Sequence, residues 1–342
     1  VNETDVTREG LKNVRPGREA RMWSGPGPAV GGAVPDAVPK RRRRDAAEAF
    51  GSYYGQPIIN APVWEEREIA GYLFTGGLAG ASSLLAAGSV LSGRPALARR
   101  CAICASGALG ISFVALIRDL GRPERFVNML RVFKPSSPMS VGTWILSAYA
   151  PFNFAAGASA ATGLYPGVGA AAAVGAAGLA PLVATYTAAL ISDTAVPAWH
   201  GGHRQLPFLF AGSAASAAAG FGLVAGPMRE AAPARRMAVL GVALELGAGR
   251  VMERELGVVA ETLHDGAAGC RLRLAKVLTA AGALGAATAG RRNRIAAAGS
   301  GAALLAGSAL TRFGLFAAGM ASARDPKYTV VPQRERADAA GT

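Results

Sequence analysis

Residues 69–93 read IAGYLFTGGLAGASSLLAAGSVLSG, without a single charge. A helix needs about 20 predominantly apolar residues to cross the hydrocarbon core of a bilayer, and this stretch supplies them. Small residues crowd it, among them Gly71, Gly76, Gly77, Gly80, Ala81, Ser82 and Ser83. Gly76 and Gly80 stand in the G-x-x-x-G spacing that lets two membrane helices bring their backbones together. The preceding WEEREIA marks with charge the point where the chain leaves water. The stretch reads as the first of several packed membrane spans.

The rest of the 342 residues repeats the pattern. Hydrophobic residues make up 51% of the chain and lie in long Ala- and Gly-rich blocks, with charges confined to the gaps. Further spans are expected at residues 101–117, 141–162, 169–191, 208–225, 233–256, 272–289 and 295–321. The fold class is therefore all-α, a polytopic membrane protein built as an eight-transmembrane-helix bundle. Residues 1–52 are a basic tail expected to be disordered, residues 53–323 the membrane domain, and residues 324–342 a polar C-terminal tail. A short amphipathic helix is expected at residues 126–133, inside the connection RDLGRPERFVNMLRVFKPSSP.

A net charge of +14 could point to nucleic acid. Basic loops around membrane spans give the same total, and the aromatics are not interleaved with the basic residues, so nucleic-acid binding is not expected. The run KRRRR at residues 40–44 suits anionic lipid or the cytoplasm. No apolar core follows it at signal-peptide spacing, so the tail reads as neither a secretory signal nor a twin-arginine leader. An even number of spans puts both termini on one side. With similar numbers of basic residues in the loops of both faces, the basic tails put that side in the cytoplasm of a plasma-membrane protein.

Three cysteines exclude a disulfide framework and an iron–sulfur cluster held by this chain alone. Cys101 and Cys104 form a C-x-x-C inside an apolar run, where two thiols read as small packed residues. His200, His203 and His264 all fall in or near loops, so no pair is set to ligate haem within the helices. The HGGH of His200 and His203, with Asp193 nearby, reads as loop polarity rather than a metal site. Charges near membrane depth carry more information. Arg118 and Asp119 close the second span, Asp193 closes the fourth, Glu245 and Arg250 lie within the sixth and Arg312 within the eighth. Each needs a partner or a wet cavity. Arg312 could pair with Glu245 or Asp193 to hold helices together, or the charges could line a proton or ligand path. The longest loops gather on the terminal face, which suggests that a partner docks there.

The segment DLGRPERFVNMLRVFKPSSPMSVGTW, followed by SDTAVPAWH and SARDPKYTV, resembles the NrfD/polysulfide-reductase membrane-subunit family. YYGQPIINAPVWEEREIAGYLFTGGLAG looks like that family's approach to its first span, so the likeness covers residues 53–331. The resemblance implies an eight-helix, haem-free subunit that is not catalytic by itself. Such a subunit docks a ferredoxin-like iron–sulfur subunit, which contacts a molybdenum or tungsten catalytic subunit. Electrons then pass between the partner's clusters and menaquinone or ubiquinone, an exchangeable substrate. Matched motif by motif, Asp119, Arg122 and Pro123 fall in the partner-facing loop, with Arg118, Arg125 and Lys134 as further docking candidates. Asp193 and His200 fall in a second motif near the same surface. With Asp119, Glu245, Arg250 and Arg312 they are the candidates for the quinone site and its proton path. Two other readings stand beside this one. A transporter or ion channel would fit glycine-interrupted helices with buried charges, although the halves share no motif. A passive anchor would have no quinone site.

Overall fold

The computed structural model describes residues 64–119 and 130–340, together with residues 6–7, 10–11, 58–59 and 62. The chain divides into two units, Val1–Tyr53 and Tyr54–Thr342. In the first, Val6–Thr7 (β1) and Gly10–Leu11 (β2) pair antiparallel, Val6 opposite Leu11. The KRRRR run and the expected disorder lie outside the described residues, as do Arg122, Pro123 and Arg125.

The second unit is helical. Its long helices are α1 (Glu66–Leu91), α2 (Pro95–Asp119), α3 (Pro138–Thr162), α4 (Pro166–Ser192), α6 (Leu206–Ala225), α7 (Ala232–Glu255), α9 (Gly266–Ala287) and α10 (Arg294–Arg324). Between them lie the short α5 (Pro197–Gly201) and α8 (Glu261–His264). The expected polar tail forms a further helix, α11 (Lys327–Ala340). The amphipathic helix expected at residues 126–133 falls largely outside the described residues, and residues 130–133 are turn and irregular chain.

Five of the long helices, α1, α2, α4, α6 and α10, are long and apolar enough to cross a membrane. The other three have the length without the apolarity. Arginines and Glu245 interrupt α7, Arg271, Arg273 and Lys276 stud α9, and α3 is rich in Gly, Ser, Pro and aromatic residues. Several starts carry proline in the first turn, where its missing N–H costs nothing, as in α3, α4, α6 and α7. Gly163, at φ 76°, ends α3 in the left-handed conformation that turns the chain into α4. Asn293 starts α10, its Oδ1 accepting from the backbone N–H of Ile295 at 2.8 Å and Ala296 at 3.3 Å.

The helix that begins the bundle also lies at its centre. α1 packs on α2, α4, α6 and α10. Its small residues permit this, since a Cβ on Gly80 would stand 2.9 Å from the carbonyl oxygen of Ala180 in α4. Gly76 meets a different neighbour, Ser112 of α2. The G-x-x-x-G therefore serves two contacts rather than one seam.

The two ends of the bundle differ in chemistry. At the terminal end, acids and bases pair: Arg271 with Glu66, Lys276 with Glu253 and Lys327 with Glu261. At the opposite end arginines bond the last carbonyls of neighbouring helices. Arg99 Nε donates to Ala160 O at 2.7 Å, Arg294 Nη1 to Leu223 O at 2.6 Å, and Arg100 to Ala225 O. Those carbonyls have no helical partner and carry the negative end of the dipole, so a cation there satisfies both needs.

The α1–α4 crossing is open to test. Gly80→Val should lower the detergent-solubilised melting temperature and the folded yield, at a cost of about 1–3 kcal/mol for overpacking. Gly88→Ala, where an added Cβ would meet nothing within 4 Å, should leave both unchanged in fluorescence-detected size exclusion.

Candidate functional site

Two buried polar clusters and one surface cluster carry the chemistry of this bundle. The deepest is shared by α6, α7 and α10. α6 and α7 cross at Gly212 and Gly241, where a Cβ on Gly212 would stand 2.5 Å from the backbone nitrogen of Glu245. That approach brings the Glu245 carboxylate, 5% exposed, beside the hydroxyls of two other helices. Thr311 Oγ1 of α10 donates to Oε1 at 2.7 Å, and Ser216 Oγ of α6 lies 3.4 Å from Oε2. Ser213 and Ser308 continue the seam with a 2.8 Å bond between their hydroxyls.

Arg312 follows Thr311 in sequence, but successive helical residues point about 100° apart. Its guanidinium, 1% exposed, faces α1 and α6. Nη2 donates to Phe210 O at 2.7 Å, and Cζ lies 3.6 Å from the centroid of the same residue's ring. A buried cation is thus held by one carbonyl and one aromatic face. Gly77 makes room for it, since a Cβ there would stand 3.3 Å from Nη2. The pairing of Arg312 with Glu245 suggested by the sequence is absent: no ion pair within 4.0 Å joins them. Nε and Nη1 of Arg312 have no hydrogen-bond partner among the described residues.

Beyond Glu245 a cavity of about 40 Å³, room for a few water molecules, runs between α6, α7, α9 and α10. Leu209, Leu246, Met252 and Leu315 wall it. Glu253 and Lys276 stand at its terminal-end rim, two turns and about 12 Å along α7 from Glu245. A buried carboxylate therefore faces a narrow crevice whose outer end is an ion pair.

The second buried cluster joins α1 and α3, and it was not among the sites expected from the sequence. Tyr149 OH donates to Ala79 O at 3.0 Å. It then accepts from Ser83 Oγ at 2.7 Å and from Asn153 Nδ2 at 2.8 Å, while Asn153 gives its other N–H to Ser83 at 3.1 Å. Every proton of the trio is placed, and Asn153 Oδ1 has no hydrogen-bond partner among the described residues. The i, i+4 spacing of Tyr149 and Asn153 in an uncharged helix was the one available clue.

The third cluster lies at the terminal end. Trp199 of α5 is fully buried, its Nε1 donating to Leu315 O at 2.9 Å. It stacks on Trp64 and tilts against Phe316, with ring centroids 5.9 and 5.5 Å apart. That anchor holds a short loop whose polar residues stay outside. Asp193, at the end of α4, and His200 are both exposed. His200 Nδ1 lies 3.1 Å from Ser192 O, and a carbonyl only accepts, so Nδ1 carries the hydrogen, and the neutral ring has its lone pair on Nε2. Arg118 and Lys134 are exposed near this end, and Arg250 is exposed on α7, apart from the buried seam. Asp119 ends α2, and its side chain lies outside the described residues.

A family model for "Polysulphide reductase, NrfD" matches residues 59–252, more than half of the chain. The chain belongs to the NrfD family. It is accordingly a membrane subunit of a redox complex, of a family that works with iron–sulfur and molybdoenzyme subunits. The NrfD match spans α1 to most of α7, so it includes Asp193, His200, Glu245 and Arg250. Thr311 and Arg312 of α10 lie beyond it. No curated protein matches the chain.

The terminal end also offers a pH test. The Lys327 ammonium, 2.5 Å away, holds the Glu261 carboxyl below the usual carboxylate range, and Glu261 raises the Lys327 ammonium in turn. The depressed acid contributes above its unfolded pKa and is lost as pH falls through the folded value. The raised base contributes below its unfolded pKa and is lost as pH rises through the folded one. Docking of α11 on α8 should therefore be strongest between those limits. A fluorophore on Gln333→Cys, in a Cys270→Ser background, should lose anisotropy in acid and in strong alkali. Glu261→Gln should lower it at neutral pH and flatten the acid limb.

Proposed function

We propose that this chain is the haem-free, eight-span membrane subunit that exchanges electrons between membrane quinone and the clusters of an iron–sulfur partner. That partner docks on the terminal face and joins the chain to a molybdenum- or tungsten-containing catalytic subunit. Membership of the NrfD family supports the reading, and the arrangement of α5 carries it. A buried tryptophan fixes a short helix at the membrane boundary and leaves an imidazole lone pair and a carboxylate exposed beside it. Quinol oxidation releases two protons, and quinone reduction takes up two. His200 Nε2 can accept a proton from a quinol hydroxyl or, once protonated, return it to a reduced quinone oxygen. Asp193 supplies a second proton acceptor on the same surface. The electrons pass between the quinone ring and the partner's cluster, and this chain supplies position and protons.

The crevice to Glu245 is the inner branch of the proton route in this proposal. Water in it would link the carboxylate to the Glu253–Lys276 rim, and a pump would need such a branch. The termini are assigned to the cytoplasmic side of the plasma membrane on the charge of the tails.

Orientation can be read from a native residue. Cys270 is exposed near the terminal end, whereas Cys101 is buried and Cys104 half-buried. In intact cells a membrane-impermeant thiol reagent should leave Cys270 unlabelled, and it should label Ser92→Cys in a Cys270→Ser background. The reverse pattern would invert the chain.

Turnover tests the site. In an assembled complex, His200→Gln and Asp193→Asn should each slow quinol-dependent turnover, by about 100-fold for a lost proton acceptor. Glu245→Gln should preserve assembly and turnover but reduce proton movement per quinone. Normal turnover in well-assembled His200→Gln and Asp193→Asn complexes, with no binding of a quinone analogue, would leave a passive anchor.

A further inference from the structure

The end of the bundle opposite the termini has a site of its own, independent of the quinone reading. A crevice of about 500 Å³ opens there between the C-terminal end of α1 and the N-terminal half of α7. Two guanidinium groups, Arg94 and Arg236, stand at its mouth, and Met237, Leu240 and Leu244 line its length. Arg94 reaches back to Ser92 O at 3.1 Å through Nη1. Arg236 is exposed and makes no hydrogen bond or ion pair with any described residue. Leu240 is 71% exposed and Leu244 42%, one turn apart on the same face as Arg236. The result is a cationic mouth at the depth of the helix ends above an uncovered apolar wall.

Acids are scarce on this end. Among the described residues of its loops the one carboxylate, Glu230, is occupied by the backbone N–H of Leu97 at 2.8 Å. Arg235 and Arg291 lie close enough to repel each other, and Arg235 Nη1 is buried without a hydrogen-bond partner among the described residues. The N-terminus of α7, the positive end of its dipole, points to the same side. A neutral quinone head would leave both mouth arginines without a counter-ion, and a free inorganic anion would leave the leucines uncovered. A ligand with a phosphate at one end and hydrocarbon at the other satisfies both.

We propose that this crevice binds an anionic phospholipid. Arg94 and Arg236 hold the headgroup phosphate, and an acyl chain lies along Met237, Leu240 and Leu244. Basic pockets between membrane helices take anionic headgroups by the same electrostatics. The lipid would cover the side of α7 that is too polar at its N-terminal end to face hydrocarbon alone.

The test is a titration of the delipidated full-length chain, in its complex where one co-purifies, followed by native mass spectrometry. The probes are phosphatidylglycerol, phosphatidylcholine with the same acyl chains, and inorganic phosphate. Phosphatidylglycerol should be retained at lower concentration than phosphatidylcholine, and inorganic phosphate should not displace it. Arg236→Gln should weaken retention about five-fold, with Arg236→Lys restoring most of it. Leu240→Ser should weaken both lipids alike. Arg94→Gln is the companion variant, and if its lost bond to Ser92 prevents folding, the exposed Arg236 decides alone. Equal retention of the two lipids, or unaltered retention in Arg236→Gln, would overturn the proposal. Displacement by inorganic phosphate would assign the mouth to a free anion instead.

Discussion

Within a bilayer, pressing one apolar helix on another gains nothing from the hydrophobic effect, because lipid tails are as apolar as leucine. Association must come from close van der Waals contact and from polar bonds that lipid cannot supply. This chain relies on the first to obtain the second. At the Gly212–Gly241 crossing the glycines let two backbones approach, and side chains of three helices come near enough to bond a carboxylate. The small residues are therefore the condition for the polar seam, and the seam is the condition for a charge at that depth.

Much of this was legible in the sequence, and the limits are physical. Apolar runs located the long helices but misplaced several ends. α2 begins at Pro95, not near 101, and α9 at Gly266, not at 272. Hydropathy stops at the first arginine, whereas a helix continues through it and lets the side chain reach water or a neighbouring carbonyl. Arg99, Arg100, Arg271 and Arg273 are all such residues within helices. The same rule explains why α7 and α9 do not meet the apolarity of a membrane span, whereas α3 misses it through uncharged small and polar residues.

The candidate site divides along similar lines. A charge in an apolar run is visible, and both Glu245 and Arg312 proved buried. Their partners were not visible, because which way a side chain points depends on the rotation and tilt of packed helices. Thr311 bonds the one and Phe210 the other, and the two charges stand near each other without an ion pair. The trio of Ser83, Tyr149 and Asn153 escaped notice because uncharged polar residues barely change hydropathy. Asp193 and His200 were marked by their motif, but the geometry that frees one imidazole nitrogen depends on Ser192, which carries no mark.

The sharing of Glu245 among three helices also bears on how the chain is made. α6 enters the bilayer first and is apolar enough to stay there alone. α7 is not, and the earlier-made partner of its carboxylate is the hydroxyl of Ser216 on α6. The shorter bond must wait for Thr311, which arrives with α10 after α9 has been made. The buried acid of α7 thus gains its shortest bond only from a residue 66 positions further along the chain.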